Sequence, residues 1–145
     1  MGVLASINSD NSIQQAKAIK KALGEEKVTV SIVGEVLGDD VEVTYSAATA
    51  AQFDSIVVAG GTESLFNGTG KSTLFPPGHP TQLIVDGHHW GKPVGFIGGA
   101  KAAAQAARVG TGKGLYLSKD VDSLVEDLKD GLATFKFTDR FPLDN

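Results

Sequence analysis

Short apolar runs that alternate with helix-like segments constrain the fold of this chain more than any other feature. Residues 55–59 read Ser-Ile-Val-Val-Ala, residues 94–97 read Val-Gly-Phe-Ile, and each run ends at a pair of glycines. Continuous runs of this kind are typical of parallel strands that are covered on both faces. Helical patterns separate them, and alternation of strand and helix favours right-handed crossovers. We therefore predict an α/β fold with a central parallel sheet.

Local patterns predict the remaining elements. Further strands are expected at residues 2–5, 27–33 and 115–117, with a short edge strand at 41–44. Four helices are expected: from a capping box at Ser12 to a C-cap at Gly24, from His79 to about Trp90, from about Ala100 to Arg108, and from an Asp120 cap to Leu132. One short helical turn precedes the loop that runs to Gly78. This order predicts a three-layer, flavodoxin-like sandwich with sheet order 2-1-3-4-5.

Composition limits the number of domains and the classes of partner. The 145 residues weigh 15.0 kDa, with 41% hydrophobic and 21% charged residues, which predicts a single globular domain over residues 1–145. The net charge of -4 argues against nucleic acid and anionic membranes as partners. No apolar run approaches ~18 residues, so we expect no membrane-spanning segment, and the residues before the first strand do not have the pattern expected of a signal peptide. The compartment stays open, either cytosolic or secreted.

Parallel sheets of this type bind ligands beyond the carboxyl ends of their strands. Four segments fall there: residues 6–12, 60–65, 98–101 and 118–120. The segment after residues 94–97 has the strand, sharp turn and helix of a nucleophile elbow. The elbow position falls on Gly98, followed by Gly99, and the chain contains no cysteine. Covalent catalysis at this turn therefore lacks a nucleophile, and we predict no catalytic residue.

Three other kinds of site have partial sequence support, and for each a structural role is favoured. Residues 6–12 could hold a flavin phosphate, but they lack the glycine that lets a backbone wrap it, so a polar cap is favoured. Residues 67–72 resemble a phosphate loop, yet Leu65 stands where that motif needs its first glycine. His88 and His89 are adjacent and point to different helix faces, so with His79 they predict surface histidines and no metal site.

Several segments resemble the C-terminal domain of large-subunit haem catalases. They are residues 45–48 (Tyr-Ser-Ala-Ala), 52–61, 74–80 (Leu-Phe-Pro-Pro-Gly-His-Pro) running to Asp86, 90–95, and the ending 131–144 (Gly-Leu-Ala-Thr-Phe-Lys-Phe-Thr-Asp-Arg-Phe-Pro-Leu-Asp). Together they span most of the chain, and the ending is the most specific. The resemblance implies a flavodoxin-like domain of the class I glutamine amidotransferase-like superfamily, excised from a longer catalase.

The resemblance also implies a function and partners. The longer enzyme would decompose hydrogen peroxide with a haem held by its core, assembled as a homotetramer, and this domain would carry no cofactor. The superfamily's cysteine corresponds to Gly98, and its supporting acid to a position near Asn11, so both departures argue against superfamily enzymology. We therefore expect a non-catalytic accessory domain that contributes to the stability and assembly of the longer enzyme. We also expect it to protect unfolding proteins in a chaperone-like manner. The alternatives are a free-standing amidotransferase- or deglycase-like hydrolase with an unrecognised nucleophile, and a flavin-binding protein.

Two sets of residues are candidates for contacts or modification. Contact with clients or with the catalase core is expected from five apolar side chains: Leu65, Phe66, Phe135, Phe137 and Phe141. Packing on the domain's own sheet is the alternative for the phenylalanines. Asn67-Gly68-Thr69 is a glycosylation sequon, so Asn67 is a candidate acceptor in a secreted protein, and an unmodified turn is the alternative.

Overall fold

The computed structural model describes residues 1–66, 74–76, 78–109, 115–118 and 120–134. Its centre is a parallel sheet of six strands: β1 Gly2–Leu4, β2 Ser31–Gly34, β3 Val43–Thr44, β4 Ile56–Val58, β5 Val94–Ile97 and β6 Leu115–Ser118. The strand order is β3-β2-β1-β4-β5-β6, and every pairing is parallel. The predicted order 2-1-3-4-5 counted the five main strands and left out the edge strand. In the numbering used here that order is β2-β1-β4-β5-β6, so it is confirmed, and β3 is the predicted edge strand beside β2.

Helices cover both faces of the sheet. They are α1 Asp10–Glu25, α2 Glu63–Phe66, α3 His79–His89, α4 Lys101–Ala107 and α5 Val121–Thr134. On one face, the apolar side of α1 and α5 packs against Val3, Val57 and Ile97; on the other, α2, α3 and α4 pack against Leu4, Val58 and Phe96. Successive strand residues point to opposite faces, so each continuous apolar run supplies two cores. The three-layer prediction is confirmed.

Glycines let the helices approach the sheet closely on both faces. A Cβ on Gly95 would lie 2.8 Å from Leu124 Cδ1, and a Cβ on Gly87 would lie 2.7 Å from Ile56 Cδ1. Side chains at these positions would occupy the space of the Leu124 and Ile56 methyl groups, which would have to move. The glycine within the apolar run of β5 therefore serves packing.

The predicted start and end of α1 are wrong. The N-cap is Ser9, whose Oγ accepts a hydrogen bond from the Ser12 amide at 3.3 Å. Ser12 lies within the helix instead, and its buried Oγ accepts the Ser6 amide at 2.9 Å. At the other end the helix passes through Gly24 to Glu25, and Lys27 adopts the left-handed conformation with φ +63°. That turn delays β2 to Ser31, four residues later than predicted.

The other boundaries follow the sequence patterns closely. Helix α3 begins at His79 with a proline in its first turn, as predicted. The Asp120 carboxylate accepts the Ser123 amide at 2.9 Å, which confirms the predicted cap of α5. Edge strand β3 is shorter than the predicted residues 41–44 because the amides of Gly38 and Val41 bond within their own loop.

Candidate functional site

The carboxyl ends of β1, β4 and β5 lie side by side and form the edge on which the sequence predicted a ligand site. Leu4 pairs with Val58, and Val58 pairs with Phe96, so the loops that follow these three strands are neighbours. Strands β2 and β3 are added on one side of β1, and β4, β5 and β6 on the other side. Doubly wound folds bind ligands where the strand order switches in this way, here between β1 and β4. A site at this edge would need groups in these loops that can bind or react.

The turn after β5 has the backbone of an elbow. Strand β5 ends at Ile97, residues Gly98–Ala100 form one 3-10 turn, and α4 begins at Lys101. Gly98 is exposed and has φ +53°, a conformation in which other residues are strained. Its backbone is presented as a nucleophile's would be, but it bears no side chain.

Four hydroxyl groups in the loops beside this turn have partners within the chain. Ser6 Oγ donates to Glu35 Oε1 at 2.6 Å, and Thr62 Oγ1 donates to the Ala59 carbonyl at 2.8 Å. Ser9 and Ser12 accept backbone amides, as described for α1. Ser6, Ser12 and Thr62 are also buried, so a substrate at the edge could not reach them. Asn11, near the expected supporting acid, is exposed in the first turn of α1.

A carboxylate that the sequence analysis missed lies in the loop after β1, although its residue belongs to the loop after β2. Glu35 follows β2 directly and is buried, and besides Ser6 its Oε2 accepts the Ile7 amide at 2.9 Å. The Asn8 amide donates to Ser6 Oγ and the Ser9 amide to the Ser6 carbonyl. The amides that would bind a flavin phosphate are thus directed to protein acceptors, and one acceptor is itself an anion. This loop does not fit a phosphate.

The crevice between β1 and β4 is closed as well. Gly61 has φ +77°, and a Cβ there would lie 2.3 Å from Ser9 Oγ. Gln15 reaches across from α1, and its Oε1 accepts the Gly60 amide at 2.8 Å. The two loops therefore pack on each other at the place where related folds admit a cofactor.

Tyr45 is the second group that sequence reasoning missed. It is fully buried, and its hydroxyl donates to the Ala5 carbonyl at 2.7 Å. Burial raises the pKa of this hydroxyl well above its usual value, and the neighbouring Glu35 carboxylate acts in the same direction. The phenol stays protonated as a structural donor. The position of Glu35, directly after a strand on the same edge as Ser6, was the signal that could have revealed this cluster.

The three histidines all belong to α3, His79 at its start and the other two at its end. His79 Nε2 lies 2.9 Å from the Ala48 carbonyl, while His88 is half-buried and His89 exposed in the last turn of α3. Among the residues that the structure describes, no three His, Cys, Asp or Glu side chains are grouped as metal ligands would be. Within the same ranges, no helix is both long and apolar enough to cross a membrane.

The predicted contact and modification residues fall in two groups. Phe66 is buried in the core beside α3 and α4, and Leu65 packs half-buried against the same cluster. Asn67, Phe135, Phe137 and Phe141 lie outside the described residues, as does the phosphate-loop-like segment 67–72. Their roles stay predictions.

Comparison with known proteins gives one consistent result. A family model described as the C-terminal domain found in long catalases matches residues 1–142. Catalase B of Aspergillus oryzae is 46% identical over 156 residues, covering 100% of this chain and 22% of that protein. Catalase-3 of Neurospora crassa is 41% identical over 145 residues, covering 99% of this chain and 20% of that protein. The chain spans about a fifth of the length of these curated relatives.

Proposed function

The chain belongs to the family of C-terminal domains found in long catalases, and from that premise we propose that it is a non-catalytic accessory domain of a haem catalase. The 145 residues form one domain of the longer chain, whose core decomposes hydrogen peroxide. The domain contributes stability and assembly of the homotetramer, with the catalase core as its first partner. It also protects unfolding proteins in a chaperone-like manner.

The glycine at the elbow position after β5, where a nucleophile would stand, is the observation that carries this proposal. A glycine occupies the exposed left-handed position after β5, where hydrolases of similar architecture place their nucleophile. The hydroxyls of Ser6, Ser12 and Thr62 are buried and hydrogen-bonded within the protein, so they cannot substitute for it. This arrangement supports an accessory role over the alternative of a free-standing amidotransferase- or deglycase-like hydrolase.

The groups that could ligate haem also support a cofactor held elsewhere. Tyr45 is fully buried with its hydroxyl directed at a carbonyl, and His79 lies against the Ala48 carbonyl. The Tyr45 hydroxyl could not reach an iron without unpacking the core around it. Tyr45 therefore does not fit as a haem ligand in this fold, and we assign the haem to the catalase core. A flavin is disfavoured by the Glu35 carboxylate in the loop after β1.

The purified 145-residue chain tests this proposal directly. After expression with added haemin, we expect no stoichiometric Soret band, no flavin absorption and no peroxide decomposition above that of free haemin. Esterase, amidase and deglycase substrates should turn over no faster than in buffer. A Soret band at one haem per chain with turnover, or saturable hydrolysis, would overturn the proposal.

Exposed aliphatic side chains support the chaperone-like part. Ile7, Val36 and Leu37 stand adjacent at the surface, and clustered exposed apolar surface marks interaction sites. The test heats an unrelated, aggregation-prone enzyme with the chain at equal mass. We expect light scattering to be delayed relative to an inert protein of similar size. Scattering identical to that of the inert protein would leave only the stabilising role.

A further inference from the structure

An open groove lies at the carboxyl ends of β1 and β2, on the flank away from the elbow. Three aliphatic side chains in it remain exposed: Ile7 by 44%, Val36 by 44% and Leu37 by 62%. The groove has a volume of about 410 Å³, and it runs between the first turn of α1 and residues 36–41. The described part of the chain leaves these side chains largely uncovered.

The backbone beneath the groove is held by hydrogen bonds. The Gly38 amide donates to the Val41 carbonyl and the Val41 amide to the Gly38 carbonyl, at 3.2 and 3.3 Å. The Ile7 amide is fixed to Glu35. A Cβ on Gly34 would lie 2.9 Å from buried Val41, so the loop packs directly on β2. A surface that is already organised loses little entropy when it binds a partner.

The charges around the groove select the kind of partner. Asp10, Asp39 and Asp40 line it, and among the described residues none that lines it is Lys or Arg. Lys17 offsets only Asp40, at 3.4 Å. Buried Glu35, directly below, adds a further negative charge, and both of its oxygens accept hydrogen bonds from uncharged donors. The groove therefore combines apolar contact area with a net negative potential.

We propose that this groove binds a segment of another polypeptide in which aliphatic side chains are flanked by Lys or Arg. The aliphatic side chains would cover Ile7, Val36 and Leu37, and the cations would lie beside Asp10 and Asp39. Complementary charge sets partner choice and association rate at such a rim. Phosphate-bearing surfaces would be repelled by the same carboxylates. The assignment holds whether or not the chain acts as an accessory domain.

Binding of labelled peptides to the 145-residue chain tests this assignment, with fluorescence anisotropy as the readout. The probe is a short peptide with two leucines flanked by lysines; matched peptides carry serine for leucine, or glutamate for lysine. We expect saturable binding of the Lys-Leu peptide alone, weakening several-fold between roughly 50 and 300 mM salt. No saturable binding up to about 1 mM, or equal binding of the glutamate peptide, would overturn the proposal.

Matched variants locate the site. Leu37→Ser should weaken binding about fivefold, since it removes a half-exposed apolar contact, and Asp39→Lys should weaken it at least as much. The controls are Leu117→Ser, an equivalent exposed leucine (47%) on the opposite edge strand, and Glu25→Lys, the same charge change at the far end of α1. Controls that weaken binding as much as the groove variants would refute the location. A dimer seen by sedimentation velocity and abolished by Leu37→Ser would instead assign the groove to a second copy, which also overturns the proposal.

Discussion

Replacing Gly61 with alanine should test whether the crevice between β1 and β4 is closed by the protein itself. Gly61 follows β4 with φ +77°, and a Cβ there would meet Ser9 Oγ at 2.3 Å and Ser9 Cβ at 2.9 Å. Neither contact can be tolerated without movement. Ser9 is the N-cap of α1, so a displaced Ser9 also loses its hydrogen bond from the Ser12 amide.

The expected cost has two parts. A non-glycine residue in the left-handed region costs roughly 1–2 kcal/mol. Loss of a serine N-cap costs about 1 kcal/mol. Since the clash forces Ser9 to move, both costs apply. Gly61→Ala should therefore lower the free energy of unfolding by about 2–3 kcal/mol in total.

Urea denaturation followed by circular dichroism measures this loss, and a double-mutant cycle separates its parts. In a Ser9→Gly background the clash and the cap are both absent, so Gly61→Ala should then cost only the backbone strain. The coupling energy between the two positions should be about 1 kcal/mol. Additive losses would show that the two loops do not pack together, and a total loss below about 0.5 kcal/mol would refute the crevice geometry altogether.

Three further perturbations probe other parts of the fold. Gly24→Ala should stabilise the chain by about 0.5–1 kcal/mol in the same urea assay, because Gly24 lies within α1 and a Cβ there meets nothing within 4 Å; a loss would contradict the observed end of α1. Lys92→Met should destabilise by about 2–4 kcal/mol, since buried Lys92 donates to two carbonyls at 2.7 Å each that would lose this donor; a loss below about 1 kcal/mol would contradict the burial. Tyr45 has a raised pKa in the folded chain, whereas tyrosine in the unfolded chain has a pKa of about 10. Its contribution to the free energy of unfolding is therefore intact below about pH 10 and falls above that pH by up to about 1.4 kcal/mol per pH unit. Tyr45→Phe should be less stable at neutral pH but should lose less stability between roughly pH 10 and 11.5, and an unchanged slope in unfolding midpoints would rule this out.

The sheet could be predicted because its strands carry their own signal. Runs such as residues 94–97 are buried on both faces, and the glycines after them mark the turns at the carboxyl edge. Gly98 was placed correctly at the end of β5 for this reason. Its φ of +53° follows from the same turn, since glycine is the residue that adopts such a conformation without strain.

The start of α1 could not be predicted from local sequence. Ser9 and Ser12 are equally good caps, and the choice between them depends on the Ser6 amide, which binds Ser12 Oγ only once the loop after β1 has folded. Tertiary contacts decide such ties.

The role of Glu35 was hidden for a related reason. Its partners Ser6 and Ile7 lie 28 or more residues away and become neighbours only through the parallel pairing of β1 with β2. The exposure of Val36 and Leu37 was equally hidden, because the pattern assigned residues 34–40 to a loop without indicating which side chains the loop leaves uncovered.

The most direct test of the accessory role compares a full-length catalase that contains this domain with the same enzyme lacking it. Both forms are normalised to haem, and the initial rate of peroxide decomposition is measured together with the half-time of inactivation on heating and the tetramer fraction. The account predicts equal initial rates per haem, and a shorter half-time or a smaller tetramer fraction for the truncated form. A truncated enzyme that keeps its heat resistance and its tetramer but loses peroxide turnover per haem would contradict it, because the domain would then take part in the reaction itself.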